Sequence, residues 1–396
     1  MTKITNLALF FLAAGILTSV SILSIYQVLF AIPVCYYTYL AIKNKDFSLP
    51  KSAYWLLGFA IIALITTTIH ADLMPKPSKN LGRIKYFLYG GFGIFALKAW
   101  LNEASDLIKK RITSIFLFSI CLSALYCIYT YFTSTDERAR GFTETMRYGY
   151  GSAMILLTLL SAILHKDKTS EWLDIRFGII AFVLGFTGMY LTHTRGALLG
   201  FLCGLPFVLY FYRPKLGLIV GGGAGALVTL LAGFYLFGNV EQGSGSRFLI
   251  NKNNHSDQVR RSQWKAAVIA IQERPILGWG LSNFHSQLKR IKEKNNLDAK
   301  EYNDAHAHNL FLEIAAGTGL VGLFFFLGWI ISWAYEAFKF QGLTRALVIP
   351  FGVAFVISSQ FEVTFDANNA SMIFFLYSLS STKIVQKVRD TFSSQA

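Results

Sequence analysis

Apolar residues in this chain come in long unbroken runs rather than in an amphipathic rhythm. A helix rising about 1.5 Å per residue needs roughly 17–23 apolar residues to cross a hydrocarbon core about 30 Å thick, and about twelve such windows are present. They fall near 5–22, 24–42, 53–70, 85–101, 112–132, 147–164, 176–192, 196–212, 216–237, 310–334, 346–362 and 369–385. The stretch 6–42 is too long for one helix and predicts a tight hairpin turning near Ser19–Ser24. Charges return between most other runs, as at Lys43, Lys45 and Asp46 and at Lys109–Arg111. The expected fold is therefore an all-α polytopic membrane bundle. Residues 1–237 would hold helices 1–9, residues 238–309 one large extramembrane loop, and residues 310–396 helices 10–12 with a short tail. The first run lacks a small-x-small cleavage site and leads straight into another span, so it is expected to stay as a span rather than leave as a signal peptide.

Composition agrees. Hydrophobic residues make up 54% and charged residues 15%, against roughly 25% charged in soluble domains, and the mean hydropathy is +0.45. A cytosolic enzyme, a disordered chain and a secreted disulfide scaffold are excluded. Cys35, Cys121, Cys127 and Cys203 all fall inside predicted spans and read as small buried apolar residues.

The net charge of +15 is harder to place in a membrane protein. With both termini cytoplasmic, about 18 of the 37 Lys and Arg fall in cytoplasmic segments, nearly all short loops, among them Lys43, Lys166, Arg213, Lys339 and Lys383. The rest face the other side, in 70–85, in 133–147, at Arg195 and above all in 238–309. Membrane insertion asks for no cations there, so an anionic partner is expected outside.

The large loop opens on Gln242–Ser246, rich in Gly and Ser, and turns helical from Gln258 to Pro275, with Val259, Trp264, Ala267, Val268 and Ile271 mostly three or four apart. The Gly278-Trp279-Gly280 turn follows. Residues 283–294 set Phe284, Leu288 and Ile291 against Lys289, Arg290 and Lys292, so the loop predicts a small helical cap.

Three external elements could carry chemistry. Thr194-Arg195-Gly196 joins two spans almost without a loop, and Arg195 is either a snorkelling anchor or a ligand. On the loop helix, Arg260 and Trp264 share a face while Arg261 points about 100° away. Guanidinium suits a diphosphate because its fork gives bidentate, charge-assisted hydrogen bonds, although a solvated basic face is the plain alternative. The third element is Asp304, His306, His308, Asn309 and Glu313 at the start of a span. The positive end of that helix disfavours imidazolium and leaves a neutral His able to take a proton. Asn303 or Asp304 is the expected N-cap, and Asp304, His306, Asn309 and Glu313 would orient the base, with capping or packing the equal alternative for Asp304 and Glu313. On a helix, His306 and His308 would diverge, and no third His or Cys follows at a ligand spacing, so no metal site is expected. Gly317, Gly319 and Gly322 read as close-packing positions. No GxxxxGK[ST] loop is present, so ATP hydrolysis by that route is excluded.

The run His308-Asn309, nine residues, Gly319, two residues, Gly322 resembles the signature of the O-antigen ligases, integral glycosyltransferases of the Gram-negative inner membrane. Thr194-Arg195-Gly196 is similar to that family's Arg-Gly element. Arg260 and Trp264 with the run from Glu273 to Gly280 resemble its loop-helix motif. The motifs cover about 185–330, and the topology covers the whole chain.

The resemblance implies a GT-C-like bundle with a periplasmic loop and active site. It implies en bloc transfer of O-antigen polysaccharide from undecaprenyl diphosphate to a sugar hydroxyl of lipid A-core, completing lipopolysaccharide. It further implies His308 as base, Arg195 and Arg260 as diphosphate ligands, and no cofactor or metal. The Arg260-Arg261 doublet leaves that register open by one residue. Arg138, Arg140 and Arg147 would add phosphate contacts, Arg140 first among them. No nucleic acid is implied; beside the two lipid-linked substrates, the partners are membrane lipids. An O-antigen polymerase, a protein O-oligosaccharyltransferase or, from another class, a lipid-linked glycan transporter remain alternatives. Spans largely free of charge at mid-depth favour an enzyme over a carrier.

Overall fold

The structure is a computed structural model that describes residues 1–134, 138–223, 255–297, 306–340 and 342–393. The greater part of the predicted ninth span, the Gly/Ser opening of the loop and Asp304 lie outside the described residues.

Among the described residues all regular structure is helical. The main helices are α1 (Thr2–Gly15), α2 (Val20–Lys43), α3 (Lys51–Ile69), α4 (Ile84–Glu103), α5 (Asp106–Thr133), α6 (Thr145–Leu164), α7 (Ile175–Leu191), α8 (Arg195–Tyr212), α9 (His255–Glu273), α10 (Phe284–Lys294), α11 (Leu310–Lys339), α12 (Leu343–Ser358) and α13 (Ala367–Ser393). Among the described residues, six of these, α2, α3, α5, α6, α8 and α11, are long and apolar enough to cross a membrane. The shorter apolar helices α1, α7 and α12 stand beside them. Large apolar side chains face outward on several, as with Val28, Phe132, Phe324 and Ile331. A protein surrounded by water does not leave such faces bare.

Helix boundaries depart from the apolar windows for local reasons. α1 stops at Gly15, and Ser19 caps α2 by accepting from the Ile22 amide, so the hairpin turns before Ser19 rather than between Ser19 and Ser24. α5 starts at Asp106, because Lys109, Lys110 and Arg111 form helical turns that continue the span beyond its apolar length. α12 ends at Ser358 rather than at residue 362, which frees 359–366 as a connecting segment.

α6 is the most buried span. It packs against α7, α8 and α12, while α3 pairs with α11 and α4 with α13. α9 and α10 pack on each other and on α11, forming the cap that the loop pattern predicts. That cap is stitched to a break in α11. Gly319 takes φ +71° and ψ −178° inside the helix, where an added Cβ would meet the Ile276 carbonyl oxygen at 2.0 Å. Breaking the helix frees backbone groups, and the 275–280 turn takes them. Trp279 N donates to Ala316 O at 2.9 Å, Gly280 N to Gly317 O at 2.7 Å, and Leu320 N to Pro275 O at 2.7 Å. Unsatisfied backbone in a membrane is costly, so such a break persists only where partners exist. Gly317 and Gly319, expected as packing positions, therefore serve a backbone splice, while Gly322 keeps the packing role against Thr318 and Ile62.

Candidate active site

The site forms where α11 begins. Asn309 is its N-cap, with Oδ1 accepting from Phe311 N at 3.0 Å and Leu312 N at 3.1 Å. Its amide nitrogen donates to the Gln360 carbonyl at 3.3 Å. Leu310 N donates to Ser359 O at 2.8 Å, so the segment 306–310 is strapped to 359–362. Buried Glu313 reaches back to accept from Ala307 N at 2.9 Å. Between these anchors His308 adopts φ +46°, a left-handed conformation uncommon outside glycine, which lies outside the helix.

Both histidines face one carboxylate. Glu362 Oε2 lies 3.0 Å from His308 Nδ1, and Oε1 lies 3.1 Å from His306 Nε2. Burial pushes Glu362 up. The His308 hydrogen bond, the charge either imidazole takes on protonation and the Val363 amide outweigh that and hold it below the ordinary carboxylate range. An ionised carboxylate only accepts, so His308 Nδ1 carries the proton.

His306 is fixed by separate logic. Its Nδ1 accepts from the His308 amide at 3.2 Å, so its proton sits on Nε2, toward Glu362. Burial lowers His306 below the usual imidazole range, Arg147 and Arg83 add to that, and Glu362 opposes it. Both nitrogens of His306 are thus engaged. His308 Nε2 makes no hydrogen bond among the described residues.

The grounds for expecting no metal need correcting. His306 and His308 precede the helix and do not diverge, and Glu362 supplies the third donor from 54 positions away. Their ligand atoms lie within 4.8 Å of one another, a set that a divalent cation could take in principle. With both ring protons directed at Glu362, the geometry equally describes a hydrogen-bonded base.

Arg195 opens α8, whose first turn packs beside the segment that holds Glu362. Gly196 packs so closely that a Cβ would stand 2.6 Å from Tyr150 Oη and 2.9 Å from Phe361 Cβ. Glycine after Arg195 therefore lets the start of α8 meet both α6 and the segment that holds Glu362. Tyr150 lies within electrostatic reach of Glu362, Arg260 and Arg138. On α9, Arg260 is half-buried and Arg261 exposed, so Arg260 is the member of the doublet brought to the site. Trp264, on the same face as Arg260, is half-buried and its indole N–H is buried without a hydrogen-bond partner.

Arg138 donates to the His193 carbonyl at 3.3 Å. Arg140 is exposed, its backbone tied to Thr130. Arg147 pairs with Glu144 at 3.4 Å and acts on His306 and Asp366. Arg83 acts on His306 and Glu313.

Sequence reasoning missed Glu362, Arg83 and Asp366. Glu362 looked like the end of an apolar span, and its one signal was an acid beside the otherwise apolar run 346–361. Asp366 caps α13 by accepting from Asn368 N and Asn369 N, and burial raises it to about 6.

Residues 180–327, which span the Arg195, Arg260 and His308 elements, match the family described as O-antigen ligase. A protein of Haemophilus influenzae described as uncharacterized is 25% identical over 287 residues, covering 65% of this chain and 70% of the relative.

Proposed function

We propose, from the match of residues 180–327 to the family described as O-antigen ligase, that the chain transfers O-antigen polysaccharide from undecaprenyl diphosphate to a sugar hydroxyl of lipid A-core. The reaction takes place at the periplasmic face of the inner membrane, with both termini cytoplasmic. A diphosphate-linked sugar is already activated, so no nucleotide is required. His308 Nε2 takes the acceptor proton as the oxygen attacks the anomeric carbon. Arg195 and Arg260, with Arg138 beside them, stabilise charge growing on the leaving diphosphate, and the bonds tying the cap to α11 keep Arg260 in place.

The observation that carries this reading is the proton inventory at Glu362. It leaves His308 Nε2 as the ring nitrogen of the pair free to act as base. Direct attack inverts the anomeric centre, which NMR of donor and product linkages checks.

The test is reconstitution of purified protein with undecaprenyl-diphosphate glycan and lipid A-core, with EDTA present. Ligated product is expected, and His308→Ala should abolish it without unfolding the protein. Full activity of that variant removes the mechanism. Loss of wild-type activity in EDTA, restored by a divalent ion, turns the His-Glu-His set into a metal site. Product formed solely from two lipid-linked glycans would make the protein a polymerase.

A further inference from the structure

The far ends of α6, α8 and α12 meet at a cavity of about 350 Å³. Each of these helices has its other end at the His308 site, and α6 has 20 residues, so about 30 Å separates the two places. Leu164, His165, Asp167, Lys168, Phe211, Tyr212, Gly342 and Arg345 line it. The spacing sets it at the opposite membrane surface.

Among the described residues, neither of its cations forms an ion pair. Arg345 lies over the Phe211 ring at 5.0 Å and over Phe338 at 5.7 Å, and its Nε is buried with no hydrogen bond. Lys168 is exposed, and no ion pair to it occurs among the described residues. Gly342, at φ +62°, would place a Cβ 3.5 Å from the Lys168 ammonium, so the bare glycine leaves that approach open. His165 Nδ1 bonds the Ser161 carbonyl at 2.8 Å, which leaves Nε2 available. Asp167 is the one acid on the wall among the described residues.

We propose that this cavity binds a phosphate group, brought in on the headgroup of an anionic phospholipid. Arg345 offers a planar fork for phosphate oxygens, and Lys168 a mobile second charge. Phe211 and Tyr212 form an aromatic edge of the kind that sits at headgroup depth. Basic pockets between helices at a membrane surface recognise lipid phosphates in this way. An occupant here would tie together the far ends of the three helices that build the active site. The inference requires the membrane reading but not the glycosyl transfer.

The test uses the full-length protein in nanodiscs of phosphatidylcholine with or without phosphatidylglycerol, read by native mass spectrometry and thermal melting. Wild type should retain phosphatidylglycerol over phosphatidylcholine by at least about tenfold and melt higher in its presence. Lys168→Gln, at an exposed position, should lose most of that preference, Arg345→Gln all of it, and Arg345→Lys should keep part. Asp167→Asn should strengthen it. Equal retention by wild type and the Lys168→Gln, Arg345→Gln double variant overturns the site. Glycerol 3-phosphate in phosphatidylcholine discs is the second arm. If it raises melting as much as the lipid does, and Lys168→Gln cancels that rise, the phosphate site stands and the lipid assignment falls.

Discussion

The two ends of α6, α8 and α12 hold the same kinds of residue, acid, histidine and arginine, and use them differently. At the His308 end the carboxylate is buried and each oxygen faces a histidine nitrogen. At the far end Lys168 and Asp167 stand open to solvent and Arg345 rests on aromatic rings. A desolvated, bonded acid fixes which nitrogen holds a proton and so gives directional chemistry. Charges around an open cavity give attraction without direction.

The strongest way to break this comparison is to remove the directed nitrogen. His308→Ala should lower transfer by about a thousandfold or more, while His306→Ala, whose nitrogens are both engaged, should cost much less. Equal losses in a single-turnover assay would mean that the two rings share the base role. Arg260→Ala and Arg195→Ala should each cost at least about a hundredfold, and Arg261→Ala far less; the reverse order would shift the diphosphate ligand by one residue.

Glu362→Gln tests direction itself. An amide can donate to His308 Nδ1 and move the ring proton to Nε2, so turnover should fall about 10- to 100-fold with donor binding largely retained. Glu362→Asp should recover part of it, and an unaltered pH profile in Glu362→Gln would show that the carboxylate does not set the tautomer. Gly319→Ala should destabilise the splice between cap and span by about 1–3 kcal/mol. Hydrogen exchange should then rise at Trp279, Gly280 and Leu320, whose amides make the cross-bonds.

The smallest effect is on stability against pH. His306 is lowered from 6.5 to about 4, so its contribution is complete above 6.5 and is lost as pH falls toward 4. Asp366 runs the other way, raised from 3.8 to about 6; its contribution is complete below 3.8 and is lost as pH rises through 6. Melting curves of His306→Gln and Asp366→Asn should each flatten one side of the profile.

Much of the bundle was legible because a lipid-facing helix must be apolar along its length, and that leaves runs no soluble pattern imitates. Glu313 was legible as a helix-start residue, and Arg260 with Trp264 as a shared face, because helical spacing is local; the helix is capped by Asn309, not by the expected Asn303 or Asp304. Gly319 was visible as a residue but not as a break, since its φ is dictated by the turn at 275–280, some forty positions earlier.

The sequence by itself therefore determined the membrane class and the cationic loop, which follow from composition and short-range pattern, while His308 as the candidate base came from the motif's resemblance to a family. Tertiary structure alone decided that Glu362 joins His306 and His308, that Arg260 and not Arg261 turns inward, and that Lys168 meets Arg345 across a cavity. Each of these depends on which distant backbone segments lie a few ångströms apart. Hydrogen bonding and desolvation act over that range, and local spacing carries no record of it.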